Sequence, residues 1–249
     1  MISQIKTILK SAGQGESLRD RVEGLIYYLR KPFGAKKFLT KVYGRNRFGR
    51  FYASKVYHYF SGFLDLGEDI IANEIDLEEG TFIDVGSYVG RYALIASRRL
   101  KNRGMVVGFE PSPENFKILK KNIELNTANN VEVYNKAVSD KKGKKKFYIL
   151  EEGSQGHSLI KLSRHKGRSI YVDCISLDDL KLEDVRLIKI DVERGEFNVL
   201  EGARNLISKC YPKIIFECSD SSAFREIKLF LDNYGYHIRK IDEINWLAE

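Results

Sequence analysis

The chain is poor in the features that announce several common functions. It has three cysteines, Cys174, Cys210 and Cys218, and no two of them form a CxxC pair. That spacing argues against a disulfide framework or a zinc site and fits a reducing compartment. No run of 18 apolar residues occurs, so no membrane-spanning helix is expected. The opening MISQIKTILK lacks the apolar core of a secretory leader, and a cytoplasmic location is expected. Internal repeats, low-complexity tracts and a Gly/Ser/Pro linker are all missing.

Acidic residues are scarce at one end. Residues 1–60 hold 13 Lys and Arg against only Glu16, Asp20 and Glu23, a net +10, while the remaining residues hold 29 against 31, a net −2. Eleven Phe and Tyr fall in the same 60 residues. Leu18, Val22, Leu25, Ile26 and Leu29 share one helical face there. Residues 1–66 therefore read as a basic, aromatic module on a nearly neutral domain, 67–249, long enough to bury a full core. Such a module suits nucleic acid, an anionic membrane surface or lipid-linked substrate, or simple packing on the domain with its lysines solvated.

What is present centres on TFIDVGSYVG, Thr81–Gly90, and MVVGFEPSP, Met105–Pro113. A short apolar run, a glycine turn, the helical pattern RYALIASRRLK and a second apolar run make a βαβ unit. In such a unit a nucleotide crevice forms where the first strand ends and the helix begins. Glu110 lies 20 residues past Gly90, about the ~20-residue offset at which an acid meets a ribose diol. The third glycine of a dinucleotide fingerprint is absent, and Asp84 at the strand end would repel a pyrophosphate. Asp84, the two glycines and Glu110 suit S-adenosylmethionine (SAM), whose methionine end is cationic.

Strand and helix patterns alternate along the rest of the chain. Expected strands are Val131–Val138, Phe147–Leu150, Ser169–Ile175, Val185–Val192, Lys213–Cys218, Tyr236–Ile241 and Ile244–Ala248. Expected helices are Gly67–Asp76, Glu114–Asn126 with Phe116, Leu119 and Ile123 inward, Phe197–Lys209 and Ala223–Asn233. The lysine run Lys141–Lys146 reads as a solvated hairpin tip. Alternation predicts an α/β fold with a mostly parallel, Rossmann-like sheet closed by a terminal antiparallel hairpin, as in class I methyltransferases.

The ordered series DVGSYVG, FEPSPENFKILKKN, NKAVSD, SLDDL, LIKIDVERGEFNVLEGA and PKIIFE, from about Leu77 to Cys218, resembles the FkbM family of SAM-dependent methyltransferases. That family usually has Ala-Asn where this chain has Ser87 and Tyr88, and Gly-Ala where it has Arg194 and Gly195. The resemblance implies O-methylation of a hydroxyl on a sugar, glycan or glycolipid. It implies a methionine end at Asp84, Gly86, Ser87, Tyr88 and Gly90 and a ribose held by Glu110 with Pro111 and Ser112. Asn135, Lys136 and Ala137 would border the adenine, and Asp191 would stand where the methyl group points.

A hydroxyl acceptor needs a group to take its proton. His157, on a polar loop, is the first choice, and Asp191 and Glu217 are the alternatives. Those two would also be oxygen ligands for Mg²⁺, although no metal site is predicted. Glu193 is a further catalytic candidate, and Asp191 and Glu193 also suit the N-terminus of the helix after them. An RNA methyltransferase is the second reading, favouring ribose over base because IDVE lacks the proline of a base-methylating strand end. A non-catalytic SAM-binding module is the third.

Overall fold

The computed structural model describes residues 42–46, 49–53, 69–150, 156–165 and 167–249. The helix expected over 18–29 and most of the basic module lie outside the described residues. The part of the module that is described is a hairpin of β1 (Val42–Asn46) and β2 (Gly49–Ala53), paired antiparallel. Asn122 and Asn126 of a distant helix grip its second strand. The backbone N–H of Tyr52 donates to Asn122 Oδ1 at 2.7 Å, and that of Arg50 to Asn126 Oδ1 at 2.9 Å.

The main sheet is built from β3 (Gly80–Val85), β4 (Gly104–Phe109), β5 (Val131–Tyr134), β9 (Val185–Ile190), β10 (Lys213–Glu217), β11 (Ile238–Lys240) and β12 (Asn245–Ala248). Their order across the sheet is β11-β12-β10-β9-β3-β4-β5, and β12 alone runs antiparallel to its neighbours. This is the expected Rossmann-like, mostly parallel sheet with its closing antiparallel hairpin. Its central strands are apolar on both sides because both faces are covered. Phe82, Val106, Leu187 and Ile215 pack under α1 (Asp69–Glu74) and α2 (Arg91–Leu100). Ile83, Val107, Ile188 and Ile214 face α4 (Glu196–Glu201), α5 (Arg204–Cys210) and α6 (Ser221–Asp232). Between β4 and β5 runs α3 (Pro113–Leu125), whose start obeys the usual N-terminal rules: Pro113 opens it and Ser112 Oγ accepts from Asn115 N–H.

Four local expectations need correction. The strand expected over 131–138 divides: Asn135 Nδ2 donates to the carbonyls of Glu110 and Pro111, turning the chain out of the sheet. The chain continues as β6 (Ala137–Val138), in a second sheet of order β6-β8-β7 with β7 (Gly143–Tyr148) and β8 (Ser169–Ile175). Most of the lysine run is therefore strand and not tip. Lys144 and Lys146 are exposed along the β7 edge while Phe147 is buried, and charged residues on an edge strand keep it from pairing with another chain. The helix expected over 197–209 breaks at Gly202, where a Cβ would meet Ser139 O at 2.1 Å. Asp178 then caps the new start, accepting from Asn205 and Leu206 N–H at 3.1 and 2.9 Å. On α3 the buried face is Asn115, Ile118, Leu119 and Asn122, while Phe116 and Ile123 are only half-buried.

Candidate active site

The chain bends sharply after β3 because Gly86 adopts φ +88°, and a Cβ there would meet the Asp191 carbonyl oxygen at 1.9 Å. Only glycine lets the turn after β3 touch the end of β9. Ser87 Oγ ties the turn back to Asp84 O at 2.9 Å. Tyr88 takes φ +50°, a left-handed conformation that asparagine tolerates better than an aromatic residue. Its backbone N–H donates to Glu110 Oε2 at 2.9 Å, and Ser112 N–H donates to Oε1 at 2.8 Å. Glu110 is thus a buried carboxylate, fixed between two loops at the end of β4. Burial raises its pKa to about 7, against the pull of those two N–H groups and with some help from the Asp84 charge.

These turns wall a cleft of about 570 Å³ at the carboxyl ends of β3, β4, β9 and β10. Gly86, Ser87, Tyr88, Glu110 and Pro111 line one side, Lys136 and Ala137 border it, and Asp191, Glu193, Glu217 and His157 complete it. Four of the expected residues do not reach the wall. Asp84 is fully buried behind the turn, Gly90 packs on Leu119, and Ser112 caps α3. Asn135 is the clamp on Glu110 and Pro111.

Asp84 is instead part of a buried charge row. It pairs in register with Lys189 across β3 and β9. Neither of its carboxylate oxygens accepts a hydrogen bond among the described residues. Burial pushes its pKa up to about 6, while the Lys189 charge pulls it back. Lys189 is 4% exposed and its Nζ lies 3.0 Å from Asp191 Oδ2 and 4.5 Å from the centre of the Tyr92 ring. This lysine was not singled out from the sequence, although a charge inside the apolar run LIKI was a visible signal. The tip between β11 and β12, Asp242–Asn245, also lines the cleft, and only the fold brings it there.

One end of the cleft is acidic, with Asp191, Glu193, Glu217, Asp242 and Glu243 on its wall. Burial raises the Glu217 carboxyl well above its usual range, and the nearby charges of Asp191 and Glu193 add to the effect. Glu193 shifts upward for the same reasons, burial first, although Arg164 forms an ion pair with it. Neither Asp191 nor Glu193 caps the following helix. The helix has no side-chain cap; Glu196 Oε1 instead ties down the loop before it, accepting from the N–H groups of Val192 and Arg194. Among the described residues no group of three or more His, Cys, Asp and Glu is arranged to hold a metal ion.

His157 is buried at the cleft, edge-on to Phe147. Its Nδ1 accepts the backbone N–H of Leu150 at 3.2 Å. A neutral ring accepting at Nδ1 carries its proton on Nε2, which leaves no ring nitrogen to act as a base. The loop that carries it is tied down next to Glu193, because Ser158 Oγ donates to Glu193 O at 2.6 Å.

The family model for the methyltransferase FkbM domain matches residues 84–238. The chain belongs to the FkbM methyltransferase family. This FkbM-family chain is 23% identical over 193 residues to "Methyltransferase 1" of Beauveria bassiana (strain ARSEF 2860), covering 68% of its own length and 76% of that protein. Among solved structures it is similar to the FkbM methyltransferase of Methylobacillus flagellatus KT, at 19% identity and a TM-score of 0.47. That match covers 69% of this chain but only 44% of the Methylobacillus chain. It is also similar to the fibrillarin of Aeropyrum pernix, solved with natively bound S-adenosyl-L-methionine, at 12% identity and a TM-score of 0.46, covering 84% and 81% of the two chains.

Two positions where this chain departs from the usual FkbM sequence are also unusual in backbone. Tyr88 and Arg194 both have positive φ, +50° and +80°, where the family usually has asparagine and glycine. Arg194 does not line the cleft. It forms an ion pair with Asp220 at 3.2 Å.

Proposed function

We propose that this chain transfers a methyl group from SAM to a hydroxyl of a sugar, glycan or glycolipid. The observation that carries the cofactor is Glu110, a buried carboxylate fixed by two backbone N–H groups at the rim of the cleft. Ionised, it offers its remaining lone pairs to a ribose diol as charge-assisted acceptors. Gly86, Ser87 and Tyr88 would hold the methionine end, and Lys136 and Ala137 the adenine. SAM supplies an electrophilic methyl carbon on a sulfonium.

The protein's own part is positioning and proton removal. Asp191, steadied by Lys189, stands at the end of β9 beside the turn at Gly86. In its ionised form Glu217 takes the hydroxyl proton, and burial and its acidic neighbours give that carboxylate a high proton affinity. The acidic groups at this end, although Asp191 pairs with Lys189 and Glu193 with Arg164, suit a neutral hydroxyl better than a polyanionic strand. The basic residues 1–60 would bring the acceptor to the cleft at an anionic surface.

Labelled SAM added to cell extract, with the products separated into glycan, lipid and RNA fractions, tests the reading. The label is expected in the glycan or lipid fraction. Label confined to RNA would overturn the acceptor class. Glu217→Gln is expected to bind SAM normally and to lose most of its turnover. A Glu217 variant with wild-type turnover would remove it as the base.

A further inference from the structure

The turn that faces the cofactor is strained. Gly86, Tyr88 and Gly90 all take positive φ, +88°, +50° and +90°, and such a backbone persists only where its surroundings fix it. Gly86 and Ser87 N–H donate to the Phe109 carbonyl at 3.0 and 2.9 Å, and Gly90 N–H donates to Ser87 O at 2.8 Å. Glu110 holds the N–H of Tyr88. The carbonyl of Val89 is held from another element, by Asn122 Nδ2 of α3 at 2.8 Å.

Asn122 is fully buried, on the same face of α3 as Ile118 and Leu119. A buried amide costs stability unless both of its halves are paired. Here both are, by backbone groups from two segments far from it in the chain. Its Oδ1 accepts from Tyr52 N–H of β2 while its Nδ2 donates to Val89 O. With its oxygen engaged by the strand, the amide presents its NH₂ to the turn, so β2 fixes which way round the side chain lies. Tyr52, Tyr88, Val89 and Ile118 form one cluster around this bridge. Among the described residues the hairpin does not line the cleft, yet it is one side chain away from Val89, which does. We propose that Asn122 is a positioning residue for SAM, locking the Val89 carbonyl so that Tyr88 N–H stays aimed at Glu110, with β2 as its outer support. This rests on SAM being the ligand of the cleft.

Amide hydrogen exchange of residues 86–90 in the ligand-free full chain reads the positioning, and calorimetry with SAM reads its consequence. Asn122→Leu, which keeps the site filled and removes both hydrogen bonds, is expected to speed exchange of the turn and to weaken SAM binding roughly fivefold or more. Asn122→Ser, whose single oxygen stands one bond closer to the backbone, is the milder variant and should move both readouts the same way. Asn126→Ala is the control. Its side chain also grips β2, but its bonds run to Arg50, Arg98 and its own helix rather than to the turn. Both readouts should stay within about twofold of wild type in that variant. Asn122 variants with wild-type exchange or wild-type SAM affinity would overturn the proposal. So would Asn126→Ala matching Asn122→Leu in both readouts, because hairpin docking in general would then be at work. A wild-type chain that binds no SAM, with a turn that loosens in the Asn122 variants alone, would refute SAM as the ligand and support the bridge.

Discussion

Lys189 is a single charge that two carboxylates depend on. It is buried between Asp84, its register partner, and Asp191, its ion-pair partner. Lys189→Met would leave two acids near each other without their cation. Breaking a buried pair from one side costs about 3–5 kcal/mol, and a denaturant melt should read a loss of that order. Adding Asp84→Asn should return part of it, because the two positions are coupled. Glu110 sets a pH dependence for the cofactor. With a pKa of about 7 in the ligand-free protein, it is mostly protonated at pH 6 and must ionise to accept two hydroxyls. SAM affinity should be roughly tenfold weaker at pH 6 than at pH 8, with protons released on binding. Equal affinities by calorimetry at the two pH values would count against Glu110 as the ribose ligand. Glu110 was legible in the sequence because its offset from the glycine turn is set by one βαβ unit. The roles of Asp84 and Asn135 were not, because each is decided by a partner on another strand or loop.

At the scale of elements, the turn after β3 and the end of β9 function as one piece. Gly86 leaves no room for a Cβ beside the Asp191 carbonyl, and its φ is +88°. Gly86→Ala must therefore push the two strand ends apart and strain its own backbone. The expected result is a loss of about 2 kcal/mol or more in stability, with weaker SAM binding and displacement of Asp191. Chemical denaturation and calorimetry on one preparation would check both. Strand and helix alternation was readable because each element has a strong period and a clear stop. The split of 131–138 and the break at Gly202 were not, because the sequence within each segment is locally consistent with a single element. The interrupting contacts come from Glu110 and Pro111 in one case and from Ser139 in the other.

The whole molecule carries several carboxyls raised by burial. Asp84 lies at about 6, and Glu110 and Glu196 at about 7, burial being the largest cause for each. A raised carboxyl contributes stability that is fully present below its unfolded pKa and is lost as pH rises through its folded one. The ligand-free protein should therefore melt at progressively lower temperature from about pH 5 to pH 8. Stabilisation by SAM should grow over the same interval, because the bound state favours ionised Glu110. Thermal melts with and without SAM across that window give both slopes, and a flat ligand-free curve would contradict the buried-acid account. The grip of Asn122 on Tyr52 has a consequence of another kind, in time. The two residues are 70 apart in the chain, and at about 5–20 residues per second synthesis separates them by roughly 4–14 s. During that interval the hairpin of β1 and β2 exists without the helix that holds it. Tyr52, buried in the finished protein in one cluster with Val89 and Ile118, emerges from the ribosome well before the helix that holds it.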